Sequence, residues 1–258
     1  MFDFLKFKFN KTPSDSILKK SLGIVVDANY SNRIVNNEII LENKIKDLIR
    51  IDHHPEEDDI NYKLRFVDSS YCASAEQIAD LIHVIDPKSL NKEIAILLYL
   101  GIYTDSGRFF YDYTSSRTHN LTSWLFETNF DFFNLHKDLS RRSIKDLEFN
   151  KYVLDNYQTY KNVIYCVLTR KQINKLKIND SSTNRVDFLA NIDNYDIWIF
   201  FIENKDKTYR VRLRSSEKDI SKLAREYNGG GHKKASGAII NNKSQILEVV
   251  KKASKISK

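Results

Sequence analysis

The sequence predicts a two-domain α/β protein. Three observations carry that reading: a length of 258 residues, short β-branched runs ending in carboxylates across the first half, and a sheet-rich second half beyond a charged stretch. A chain of this size exceeds one ordinary α/β domain and suits two modest ones, each able to bury its own core.

Leu22, Gly23, Ile24, Val25, Val26 and Asp27 form an apolar run closed by a carboxylate, the pattern of a buried parallel strand that delivers a side chain to the sheet's edge. A second such unit spans 47–55, where the strand stops at Asp52, His53 and His54, and Pro55 prevents regular continuation. Between 73 and 85, Ala75, Ile78, Ala79, Ile82 and Ile85 recur at spacings of three and four, which predicts an amphipathic helix ended by Asp86 and Pro87. Residues 92–103 are apolar on several faces and predict a central helix running into a polar turn, 103–108, that contains Asp105. A further helix is expected over 116–128, with Leu121, Trp124 and Leu125 inward. The charged residues between Lys137 and Asp155 read as a solvated helical connector and mark the domain boundary. Beyond it, 163–168, 197–202 and 208–213 predict strands, the last two joined by a hairpin at 204–207. A helix near Asp219, a glycine cluster at Gly229, Gly230 and Gly231, a short strand over 238–240 and a Lys-rich terminal helix complete the chain.

Lys and Arg number 41 against 34 Asp and Glu, a formal charge of +7, so the surface field favours anionic partners such as nucleotides or RNA. The two cysteines, Cys72 and Cys166, lack partners at zinc-ligand spacing, which excludes a zinc ribbon and a disulfide framework and fits a reducing cytoplasm. With no run of about 18 apolar residues, a soluble protein without a membrane partner is expected.

Any one strand-end Asp is more often a cap or turn former than a ligand. Here three element ends each deliver a metal-competent group: Asp27, the run Asp52, His53 and His54, and Asp105. Ligands converging from several sheet ends are how open α/β folds build sites. Carboxylates with an imidazole favour a hard divalent ion, Mn2+ first and Mg2+ as substitute, over zinc. Such ions, bound in pairs, suit phosphate ester hydrolysis.

Ile51-Asp52-His53-His54-Pro55, then Gly101-Ile102-Tyr103-Thr104-Asp105-Ser106-Gly107-Arg108-Phe109, then Gly229-Gly230-Gly231-His232 occur in an order and spacing that resemble the DHH/DHHA1 phosphoesterases. Within that family the pattern is similar to the oligoribonuclease and pAp phosphatase branch, manganese-dependent enzymes acting on short RNA and nucleotides. The resemblance implies an N-terminal DHH domain (1–140) with a mainly parallel sheet flanked by helices, a connector (141–158) and a smaller C-terminal α/β DHHA1 domain (159–258) that binds substrate. It implies that Asp27 bridges two metal ions and that His53 and Asp105 bind one of them. Asp52 orients from behind, and His54 faces the scissile phosphate. Arg108 either neutralises charge there or makes a structural ion pair. In the second domain Arg214 and Ser215 match a substrate-gripping strand end, and Gly229, Gly230, Gly231 and His232 match a loop whose backbone N–H groups form an anion nest. Phe109, Tyr111 and Tyr113 either stack bases or pack.

The family also carries a His-x-x-Pro-Asp-x-Asp motif on an earlier strand, and here the only echo, Asn10 to Ser16, puts Asn10, Ser14 and Ser16 at the ligand positions. The expectation is therefore a DHH domain truncated at its start, with an exposed apolar sheet edge and at most one well-held ion. Two readings follow. In the first, the chain is an active enzyme completed by an upstream start, a companion chain or a homodimer partner. In the second, it is a degenerate relative that binds nucleotides or RNA through Arg214, Gly230, Gly231 and His232 without hydrolysis.

Overall fold

The computed structural model describes residues 12–54, 57–178 and 186–256. They divide into two compact units, one up to Ser140 and one from Arg141 onward.

The first unit opens with a single turn, α1 (Asp15–Leu18), then β1 (Leu22–Val26), a second turn α2 (Glu38–Leu41), β2 (Asp47–Asp52) and β3 (Leu64–Val67). The strands form a parallel sheet in the order β1-β2-β3. One face buries Val25 and Leu48 against Ile60 and Tyr62. Four helices follow: α3 (Ser74–Ile85), α4 (Lys92–Asp105), α5 (Ser116–Phe126) and α6 (Phe132–Ser140). Their shared core centres on α4, whose Ala95 and Ile102 are fully buried, as expected of a helix apolar on several faces. Asn91 caps its start by accepting from the Ile94 N–H. The helix continues through Asp105, so the turn expected from Tyr103 begins three residues later, at Ser106.

The second unit contains α7 (Ile144–Asn156), β4 (Gln158–Tyr160), β5 (Val163–Leu168), α8 (Arg170–Lys175), β6 (Ile197–Glu203), β7 (Tyr209–Ser215), α9 (Ser221–Glu226), β8 (Gly230–His232), β9 (Ala235–Ile240) and α10 (Gln245–Ala253). Its six strands run in the order β4-β5-β6-β7-β9-β8, with only β5 and β6 parallel. β6 is buried on both faces because each face has its own core. Ile197, Ile199 and Phe201 pack with Leu223, Val249 and Val250 from α9 and α10. Trp198, Phe200 and Ile202 pack with Phe149 and Val153 of α7. Both faces being covered explains a continuous apolar run where an exposed face would alternate. β7 does alternate, burying Val211 and Leu213 and leaving Arg210, Arg212 and Arg214 half-buried.

Within the stretch read as a solvated connector, α7 contributes to the second unit's core: Phe149 and Val153 are fully buried, while Leu147 and Leu154 remain exposed. Its charge density concealed two inward positions four residues apart. Phe149→Ala should lower the urea-unfolding stability by about 3 to 5 kcal/mol, whereas Leu147→Ala should change it by less than about 1 kcal/mol. Equal, small effects would place α7 outside the core.

Candidate active site

In the first unit the strand and helix ends meet. β1 finishes at Val26, and Asp27 then takes a left-handed backbone, φ 62°, while donating its N–H to the Ile51 carbonyl at 3.1 Å. His53 and His54 follow β2 directly, and Asp105 is the last residue of α4. His53 Nε2 lies 3.4 Å from Asp27 Oδ1 and 3.9 Å from Asp105 Oδ2. One ligand atom from each of Asp27, His53 and Asp105 lies within 4.8 Å of the others, and the same holds for Asp27, Asp52 and His54.

Asp52 is completely buried and divides its oxygens between two tasks. Oδ1 accepts from the His54 backbone N–H at 3.0 Å and meets His54 Nδ1 at 2.7 Å. Oδ2 accepts from Arg50 Nε at 3.1 Å and Nη2 at 2.7 Å. Burial by itself would raise the Asp52 pKa, but the His54 and Arg50 hydrogen bonds outweigh it and hold the carboxylate ionised far below its ordinary range. Arg50, itself fully buried, donates through Nη1 to Asp58 Oδ2 at 3.1 Å, and Arg65 binds both Asp58 oxygens.

Asp27, His53 and Asp105 are in tension. Burial raises Asp27, yet hydrogen bonds from His53 and Ser74 and the nearby imidazole charges hold it below its ordinary value. Burial lowers His53, but Asp27, with Asp105 and Asp52 behind it, pulls it up. Asp105 is raised by burial and then by the Asp27 charge. It also ends a helix, where the macrodipole opposes a negative charge. Two carboxylates and an imidazole so placed fit a hard divalent cation, which would relieve both repulsions.

Ser74, Arg50 and Asp58 escaped sequence reasoning. Ser74, the first residue of α3, donates to Asp27 Oδ1 at 2.9 Å, a contact across 47 positions that nothing local signals. Arg50 did leave a trace. The inward phase of β2 is Leu48, Arg50 and Asp52, and an arginine in that phase requires a buried anion. Arg108 sits in a turn where Gly107, Arg108 and Phe109 all have positive φ, 60°, 66° and 65°, a strained run for two non-glycine residues. Phe109 packs on Tyr99 and Tyr103, the Tyr113 hydroxyl donates to the Asp105 carbonyl at 3.0 Å, and the Tyr111 ring lies against Gly107, so all three have packing partners.

In the second unit the register places Arg214 opposite Ala235 and Ala235 opposite His232, so Arg214 and His232 share one sheet face. The next row on that face holds Arg212, Gly237 and Gly230. In that row Gly237 and Gly230 present no side chain beside Arg212. Ser215 does not share this face. It is buried on the opposite side and accepts from the Glu217 and Lys218 backbone N–H groups, because strand alternation turns it away from Arg214. The glycine loop also differs from expectation. Gly230 to His232 is an edge strand paired to β9, not a nest. A Cβ on Gly229 would come within 2.1 Å of the Gly237 carbonyl oxygen, and one on Gly231, at φ 134°, within 2.5 Å of the Ala235 oxygen. Only at Gly230 would it meet open space.

Residues 158–258 match the DHHA1 domain. The chain belongs to the DHH/DHHA1 phosphoesterase family. It is 43% identical over 259 residues to the bifunctional oligoribonuclease and PAP phosphatase NrnA of Mycoplasma pneumoniae, covering 98% of this chain and 79% of that protein. With the protein of the same description from Mycoplasma genitalium it shares 44% identity over 250 residues, 97% of this chain and 78% of the relative. Among solved structures, an exopolyphosphatase-related protein from Bacteroides fragilis superposes with a TM-score of 0.84 at 25% identity, over 93% of this chain and 73% of that one.

Two predictions follow from this geometry. The folded Asp58 pKa is held below its ordinary value, first by the Arg65 hydrogen bond and, against burial, by Arg50. Its contribution is therefore present above the unfolded pKa of about 3.9 and is lost as pH falls through the folded value. Asp58→Asn should destabilise the protein at pH 7 and flatten the fall of Tm below about pH 4; an unchanged acid limb would remove the carboxylate from the network. Separately, Gly229→Ala should lower Tm by at least about 4 °C and Gly230→Ala by no more than about 1 °C, since only the first forces backbone apart. Melting curves of the two variants decide it.

Proposed function

We propose that this chain is a manganese-dependent phosphoesterase that hydrolyses short oligoribonucleotides and 3'-phosphoadenosine 5'-phosphate, working in the cytoplasm. The observation that carries the reading is the convergence of Asp27, His53 and Asp105, whose ligand atoms lie within 4.8 Å of one another at the ends of a strand, a second strand and a helix. The family relationship supports the phosphoester chemistry, and the buried free thiols Cys72 and Cys166 fit a reducing compartment.

Asp27, His53 and Asp105 would hold the cation. When bound, it supplies Lewis acidity that neutralises phosphate charge and lets water deprotonate near neutral pH. Mn2+ suits the mixed oxygen and nitrogen donors, and Mg2+ is the expected weaker substitute. Ser74 fixes one Asp27 oxygen and so orients the carboxylate. Asp52 anchors the Nδ1 side of His54, so Nε2 is the ring atom we assign to proton exchange with the substrate. Arg108, in the turn that follows Asp105, is assigned to the charge of the scissile phosphate. The unit up to Ser140 thus carries the chemistry. In the unit from Arg141, Arg214 and His232 are assigned to nucleotide binding, with Gly230 giving a phosphate or base close access to backbone.

Purified protein should release phosphate from 3'-phosphoadenosine 5'-phosphate and mononucleotides from a short RNA with Mn2+, less with Mg2+ and none with EDTA. Asp105→Ala should lower kcat by at least about 100-fold, with KM for the RNA changed far less. Equal rates in the two proteins would sink the assignment. RNA bound tightly in EDTA but released uncut in every metal would instead identify a binding protein.

A further inference from the structure

In the second unit β4 is short and pairs with β5 over Val163, Ile164 and Tyr165. β5 continues to Leu168, and beside that continuation lies a cavity of about 330 Å³. Its walls come from the end of α7, from β5 and from the starts of α8 and α10, all within this unit. The volume is at the small end of ligand sites and suits one small molecule, not a chain. Neighbouring contacts decide what the polar lining offers. Gln172 Oε1 accepts from the Thr169 N–H and hydroxyl, each at 2.7 Å, and Gln158 Oε1 accepts from the Tyr165 hydroxyl at 2.8 Å. With both oxygens engaged, the Nε2 donors are what the two amides have left. Exposed Lys243 adds an ammonium, and among the described residues the lining holds no carboxylate. The Tyr152 hydroxyl is directed to the Val167 carbonyl at 3.4 Å, so its ring, with Val167, Ile246 and Leu247, makes an apolar side.

We propose that this cavity is a second binding site, for one nucleoside monophosphate. A lining of N–H donors with one ammonium and no carboxylate selects an anion whose oxygens accept, and a phosphate group meets that demand through Lys243 and Gln172. Inorganic phosphate alone would leave the apolar side without a partner. A flat base covers it by stacking on the Tyr152 ring. Asn156 donates through Nδ2 to the Tyr152 carbonyl at 2.8 Å and keeps Oδ1 as an acceptor. Asn156 Oδ1 and Gln158 Nε2 together form the acceptor and donor pair that reads a base edge. No residue of this lining belongs to the candidate metal centre or to the face of Arg214 and His232. The cavity and its preference for an anion stand apart from the chain's chemistry. Only the choice of a nucleotide over another flat phosphate ester rests on the reaction proposed above, whose products are mononucleotides.

Titration of the full chain with AMP in EDTA, followed by methyl NMR, separates this site from catalysis because no metal is present. The Val167 and Ile246 methyl signals should shift saturably with a Kd below about 1 mM, and adenosine or inorganic phosphate alone should bind at least about tenfold more weakly. Lys243→Glu reverses the charge at the rim, and Leu247→Trp adds bulk at a half-exposed wall. Each should raise the AMP Kd by at least about tenfold. Lys222→Glu makes the same charge change on α9, at the opposite edge of the sheet, and should leave the Kd unchanged, as should Arg214→Ala on the face assigned to substrate. Val167 and Ile246 signals that stay still up to about 10 mM AMP overturn the proposal. So does a Kd that ignores both Lys243→Glu and Leu247→Trp, or adenosine binding as tightly as AMP. An inactive enzyme whose Val167 and Ile246 signals still saturate with AMP would sink the proposed reaction and leave this site standing.

Discussion

A guanidinium buried inside a parallel sheet is the constraint on which the first unit's site depends. Arg50 has no exposed surface and lies between Asp52 and Asp58. Desolvating such a charge is costly, and only a geometry that satisfies it makes the arrangement stable. The gain is order. With one oxygen fixed by Arg50, Asp52 has a single way to meet the His54 ring and its backbone N–H, so the histidine's position is inherited from the sheet.

Around that rigid anchor the unit gathers features that a merely stable protein avoids. Asp105 is a carboxylate at the negative end of a helix and beside a second carboxylate, Asp27. Asp27 and the turn after Asp105 both adopt left-handed backbone at non-glycine residues. Such unfavourable conformations persist where the surroundings over-determine them and cluster at functional sites. Ser74 at Asp27 and Tyr113 at the Asp105 carbonyl are among the contacts that hold them.

The second unit obeys a different economy, set by sterics. Two of its three consecutive glycines are there because β9 passes too close for a side chain, and the third, Gly230, opens the sheet face shared by Arg212, Arg214 and His232. One short sequence thus performs a packing task and a surface task, and only distances tell them apart.

The sequence by itself determined the α/β class, the parallel arrangement of the first sheet and the identity of Asp27, His53, His54 and Asp105 as metal-competent groups, because period-two and helical patterns and strand-end carboxylates are local properties. Only the tertiary structure decided what those groups touch. The Ser74 contact with Asp27 spans 47 positions. Phe149 and Val153 are core residues inside a charged stretch. Ser215 faces away from Arg214 although it follows it directly, and the glycine cluster is a paired edge strand. Each of these depends on which element lies across from the residue, and that is fixed by packing between distant segments, which no local window of the chain contains.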